Sequence, residues 1–96
     1  MHARVTTISG SPDGIDAGIS NFKSKALPGI REVGGQGGIL LVDRSSGNAM
    51  AITLWPDVEA LQASEERANE LRRQVTEEMS AGEPQVERYE VAVFET

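Results

Sequence analysis

Gly38-Ile39-Leu40-Leu41-Val42-Asp43-Arg44-Ser45-Ser46-Gly47-Asn48-Ala49-Met50-Ala51-Ile52-Thr53-Leu54-Trp55 is the stretch on which the fold turns. Two runs rich in aliphatic residues flank the polar segment Arg44 to Asn48, whose length and Gly-Asn content are those of a hairpin connection. Residues 38–43 and 49–55 therefore read as adjacent antiparallel strands. Pro56 closes the second of them, because it has no N–H to give to a ladder.

Upstream of the hairpin, Gly34-Gly35-Gln36-Gly37 makes a mobile or tightly bent entry to the strand, with Ile30 to Val33 bridging from a helix. That helix begins at Ser11-Pro12-Asp13, which offers an N-cap, a proline at the first helical position and an acid near the positive helix end. Its apolar residues Ile15, Ile19, Phe22 and Ala26 recur at spacings of three and four, one stripe of an amphipathic helix. Gly14 and Gly18 weaken it by about 1 kcal/mol each against alanine. Leu27-Pro28-Gly29 marks its expected end. Before it, Ala3 to Ile8 alternates and is β-branched, a first strand stopped by Ser9-Gly10.

Downstream, Asp57 caps a second helical region whose apolar side is Val58, Leu61, Ala68, Leu71, Val75 and Met79. Ser64-Glu65-Glu66 inside it can re-cap the chain and divide it into two pieces. After Gly82 and Pro84, Gln85 to Phe94 alternates as a fourth strand. The order is βαββαβ, an α+β ferredoxin-like arrangement, with residues 1–96 expected to form one domain.

Right-handed crossovers give this order a four-stranded antiparallel sheet, spatial order 4-1-3-2, with both helical regions on one face. Met50, Ile52 and Leu54 form the greasier side of the third strand and are expected to meet the helices, as are Tyr89, Val91 and Val93 on the fourth. Arg4, Thr6, Ile8, Thr53, Trp55, Arg88, Glu90, Ala92 and Phe94 would then lie on the open face. A chain of 96 residues buries only about two-thirds of the surface it exposes when unfolded. A second copy is the expected cover, as an isologous homodimer.

Composition narrows the function. Nine Lys and Arg stand against 15 Asp and Glu, a formal net charge of −6, which repels phosphate backbones and argues against nucleic acid as a partner. No apolar run approaches the roughly 18 residues of a membrane span, and no signal peptide is evident, so the expected location is cytoplasmic. The absence of cysteine removes disulfides, thiolate metal sites and cysteine nucleophiles.

The Leu27-Pro28-Gly29 helix exit, the run Ala51-Ile52-Thr53-Leu54-Trp55 followed by Asp57, and the alternating fourth strand together resemble the antibiotic biosynthesis monooxygenase-like family of the dimeric α/β-barrel superfamily. The resemblance spans essentially the whole chain. It implies a ferredoxin-like protomer, a homodimeric barrel and a pocket between sheet and helices. Some members oxidise aromatic polyketide-type compounds with oxygen and no cofactor, and others degrade haem. The haem-degrading members need a histidine in the second helical region, where this chain has none. The resemblance therefore implies neither haem nor another cofactor. Among the oxidising members a tryptophan pairs with polar side chains in the pocket; Trp55 matches that pattern, whereas its polar partners have no counterpart to name here.

The residues expected to contact a ligand are Trp55, Phe22, Arg88 and Glu90, and no catalytic residue is assigned. Trp55 either stacks on a flat ligand or anchors packing at a dimer or helix contact. Arg88 and Glu90 share a strand face and, with Arg4 across the first strand, either hold a polar ligand group or form a cross-strand ion-pair set. Phe22 and Met79 lie on helix stripes and either line a cavity or fill the core. His2 could carry a proton but sits at a chain end. The glycines at 34, 35, 37 and 38 follow a helix rather than a strand, which is the wrong place for a dinucleotide cradle. Glu65, Glu66, Glu70, Glu77 and Glu78 alternate with arginines as on a solvated helix, so no metal is expected. Two functions remain open. One is cofactor-independent oxygenation of a small aromatic or quinone-type compound, and the other a non-catalytic homodimer that binds a small ligand or serves as a stress-associated barrel.

Overall fold

The computed structural model describes residues 1–78 and 84–95, with backbone only at residues 71, 72 and 74–78. Met79 and Gly82 lie outside the described residues. Strand β1 is His2–Ser9, followed by a 3₁₀ turn at Pro12–Gly14 and helix α1, Ile15–Asn21. A π-helical turn, Phe22–Ala26, leads into α2, Leu27–Glu32. The hairpin comprises β2, Gly37–Val42, and β3, Asn48–Trp55; then come α3, Val58–Ala63, α4, Glu65–Glu78, and β4, Gln85–Glu90. The strands lie in the order β2-β3-β1-β4, every pair antiparallel. Helices cover one face, as expected of the ferredoxin-like α+β arrangement.

The first helix does not stop at Leu27-Pro28-Gly29. It runs on to Glu32 because the backbone widens into a π turn before the proline, with Leu27 N–H donating to Phe22 O, five residues back. Pro28 has no N–H to place and sits in the first turn of α2, where that lack costs nothing. The helix ends where Gly34 takes a φ of 99° and Gly35 N–H donates to Ile30 O at 2.9 Å, a left-handed C-terminal cap.

The second helical region is in two pieces. Asp57 Oδ1 accepts from Ala60 N at 2.8 Å and starts α3, and Ser64 forms the corner before α4. β4 ends four residues short of Phe94. Val91 N–H reaches Met1 O at 2.9 Å, just past the last β1–β4 ladder pair, His2 opposite Glu90.

The faces are the reverse of what apolar character predicts. The ladder places Arg4 opposite Thr53, Thr6 opposite Ala51 and Ile8 opposite Ala49. All of this set except half-buried Ala51 are buried, as is Trp55, which is 0% exposed. They meet the helices. Val5, Ile52 and Ile39 form a row on the other face, and Thr7, Met50 and Leu41 another. There Leu41 is 50% exposed and Tyr89, opposite Ala3, 51%. The physical reason is volume. On the covered face Ile15, Phe22 and Ile30 project from the helical side and Trp55 from β3, and the strand residues Thr6, Ala49, Ala51 and Thr53 beside them are small. The larger aliphatic side chains fall on the face that carries no helix.

Candidate functional site

Alternation along β1 turns Arg4 toward the α3–α4 corner. Its Nη2 donates to Leu61 O at 2.8 Å and to Ser64 Oγ at 3.1 Å, and lies 3.2 Å from Glu65 Oε1. Ser64 Oγ in turn donates to Leu61 O at 2.7 Å. One carbonyl at the end of α3 thus accepts from both side chains, in addition to the Ser64 N–H at 3.3 Å. Arg4 Cζ stands 5.3 Å from the Trp55 ring centroid, within cation–π range. Trp55 Nε1 donates to Thr53 Oγ1 at 3.0 Å, so the ring that supports the cation is held by the strand carrying it.

Glu65 also joins β4 to this corner, because Arg88 Nε donates to its Oε1 at 2.6 Å. That hydrogen bond, with the charge of Arg4, holds the Glu65 carboxyl below its ordinary range. The same contact raises Arg88. Burial lowers Arg4, against the opposing pull of Glu65. Arg4 Nε is buried and has no hydrogen-bond partner among the described residues.

Beside Arg4 a half-open cleft of about 50 Å³ lies between sheet and helices. Arg4, Thr6, Ile8, Leu40, Ala51 and Thr53 supply its sheet side, and Phe22, Ala26, Ile30 and Ala68 its helix side. The wall is mostly apolar, with two threonine hydroxyls and one guanidinium, the small number of polar groups that orient a ligand in such sites. A volume of this size holds the space of a few waters, so a ring enters only with side-chain movement. Among the described residues no group of three or more His, Asp or Glu is placed to hold a metal ion, and no helix is long and apolar enough to cross a membrane.

Of the four residues expected to meet a ligand, Phe22 stands on the cleft wall. Trp55 packs with Ile30 and Leu61 behind Arg4. Arg88 is on the helix side of the sheet and is paired with Glu65 rather than Glu90, while Glu90 is exposed at the end of β4, opposite His2. Arg4 and Arg88 are ladder partners, as their strand positions predict, but on the covered face. The importance of Ser64 and Glu65 was not legible as chemistry. Their only sequence signal is the re-capping pattern that divides the helix.

No family model matches the chain. Two curated relatives from Mycobacterium tuberculosis H37Rv, the uncharacterized proteins Rv2558 and Rv2557, are 37% and 38% identical over 95 residues, 98% of this chain. The chain spans only 40% and 42% of their lengths. Among solved structures, a putative antibiotic biosynthesis monooxygenase from Deinococcus radiodurans superposes with a TM-score of 0.73 at 13% identity, covering 100% of this chain and 97% of that one. The ActVA-Orf6 monooxygenase of Streptomyces coelicolor, in complex with nanaomycin D, gives 0.74 at 16% identity, covering 99% and 92%. The fold is that of the antibiotic biosynthesis monooxygenases, the family the sequence resembles.

Proposed function

We propose that the cleft admits a small, flat aromatic or quinone-type compound and that the chain catalyses its cofactor-independent oxygenation. The observation that carries this reading is the apolar cleft between sheet and helices, with Phe22 on its wall, in a fold shared with a monooxygenase solved in complex with nanaomycin D. Enclosure would hold the ring still and keep water from the reacting carbon. At an activated aromatic CH₂ the reaction balances without a further reductant: the carbon becomes a carbonyl, one oxygen atom enters the ligand and the other leaves as water with the two hydrogens. The test is mass spectrometry of anthrone-type substrates under ¹⁸O₂. Incorporation of one labelled atom faster than in protein-free buffer is expected, and a rate equal to the buffer's would overturn the assignment.

A second reading has its own support. The described cleft wall carries no carboxylate or imidazole to act as a base, which suits a binding protein that does not turn its ligand over. Ligand recovered unchanged after incubation in oxygen, despite saturable binding, would decide for it.

The uncovered sheet face supports a homodimer under either reading. Ile39, Leu41, Met50 and Tyr89 are exposed there, and all four lie within strands. A twofold copy would bury the same rows on both sides.

A further inference from the structure

We infer that the cleft selects aromatic ligands bearing an ionised oxygen (enolate, phenolate or carboxylate), with Arg4 Nε as the group that receives it. The inference rests on the aromatic-cleft reading above and adds the charge of the ligand to it. Arg4 is 2% exposed and lines the cleft. Two of its neighbours, Leu61 O and Ser64 Oγ, satisfy Nη2, yet Nε is buried and has no acceptor among the described residues. A buried ionised donor without an acceptor is destabilising, and a ligand oxygen in the adjoining cleft would remove that penalty.

The charge balance points the same way. Arg4 and Arg88 share one carboxylate, Glu65, which among the described residues is the only acid paired with either. The cluster keeps one positive charge in surplus, although the chain as a whole carries −6. Apolar walls strengthen that surplus at short range. The guanidinium remains charged throughout the physiological range, so the selectivity follows from the ionisation of the ligand.

The test is calorimetric titration of the intact chain at neutral pH with two compounds on the same ring. One is 2-hydroxy-1,4-naphthoquinone, which is ionised there, and the other 1,4-naphthoquinone, which cannot ionise. The hydroxyquinone is expected to bind about tenfold tighter or more, because a site built around a buried donor rejects the analogue that leaves it unmet. Arg4→Met should abolish the difference. Since that variant removes a core contact and could fail to fold, Glu65→Gln supplies an independent readout. Its side chain is 29% exposed, and the change increases the surplus charge, so the hydroxyquinone should tighten by about threefold while 1,4-naphthoquinone stays the same. Equal affinity for the two compounds overturns the inference and leaves the aromatic cleft standing. Failure of both to bind overturns the cleft reading and this inference with it.

Discussion

Arg4 and Trp55 are diagonal neighbours across β1 and β3, with Arg4 opposite Thr53 and Trp55 two residues further along the same strand. The ring centroid lies 5.3 Å from the guanidinium carbon, and both residues are out of solvent. The indole therefore touches Arg4 and is not itself among the residues lining the cleft. Its face supports the cation, its N–H is spent on Thr53, and its body packs on Ile30 and Leu61.

The hydrogen bond from Trp55 to Thr53 should be measurable as a coupling. Thr53→Val keeps the shape of the side chain but leaves the indole N–H dry without an acceptor, which should cost about 1–3 kcal/mol. Trp55→Phe removes the donor and also loses packing volume. The double variant should be less destabilised than the sum of the two by about 1 kcal/mol, read from urea unfolding followed by far-UV circular dichroism. Strict additivity would mean that the bond contributes nothing.

Glu65 should make stability depend on pH in the acid range. Its carboxyl is held below the ordinary value of 4.5, first by the hydrogen bond from Arg88 and then by Arg4. In the unfolded chain the group takes up its proton at the higher pH, so between the two values the unfolded state binds more protons and stability rises with pH. The contribution is present above about pH 4.5 and is lost as pH falls through the lower folded value. Unfolding curves between neutral and strongly acid pH should show this loss for the wild type and a flatter profile for Glu65→Gln. Two superimposable profiles would show that the pairing with Arg88 is too well solvated to matter.

Much of the architecture follows from local pattern. The hairpin, the Asp57 cap and the division at Ser64 each depend on residues within a few positions of one another, and the strand order follows from the order of elements. What pattern leaves open is direction. Alternation sorts Met50, Ile52 and Leu54 from Ala49, Ala51 and Thr53, but it does not say which set meets the helices. The ranking by apolarity chooses wrongly because it assumes that every greasy surface is buried within its own chain. Arg4 is illegible for a related reason: a lone arginine in a strand ordinarily reaches water, and the acceptor that keeps this one dry is Leu61 O, 57 residues away in the chain. The continuation through Pro28 depends on a π turn that no spacing of apolar residues announces.

Gly47 should tolerate no side chain. It has a φ of 84°, and a Cβ built on it would fall inside contact distance of the backbone of Ser11 and Pro12. The left-handed conformation alone costs an ordinary residue about 1–2 kcal/mol, and the collision adds to that because backbone atoms cannot turn away. Gly47→Ala should therefore lower stability by more than about 2 kcal/mol in chemical denaturation, although the residue is far from the cleft. A loss under about 1 kcal/mol, less than the left-handed backbone alone should cost, would mean that the β2–β3 turn and the segment before the first helix do not pack as described.

Leu41→Glu should separate the proposed dimer from the fold. Leu41 sits on the uncovered face opposite Met50, while Leu40, its neighbour, points to the cleft. A charge at position 41 is therefore solvated in a single copy and leaves the cleft walls untouched. In a twofold pair the same change removes about 1.5–3 kcal/mol of leucine burial per copy, and it asks two carboxylates to enter an apolar layer without partners. Sedimentation at micromolar concentration should report two copies for the wild type and one for Leu41→Glu, with the circular dichroism of both alike. If the wild type itself sediments as one copy, the apolar face is covered by something other than this chain. If the variant stays paired, the contact lies elsewhere on the surface.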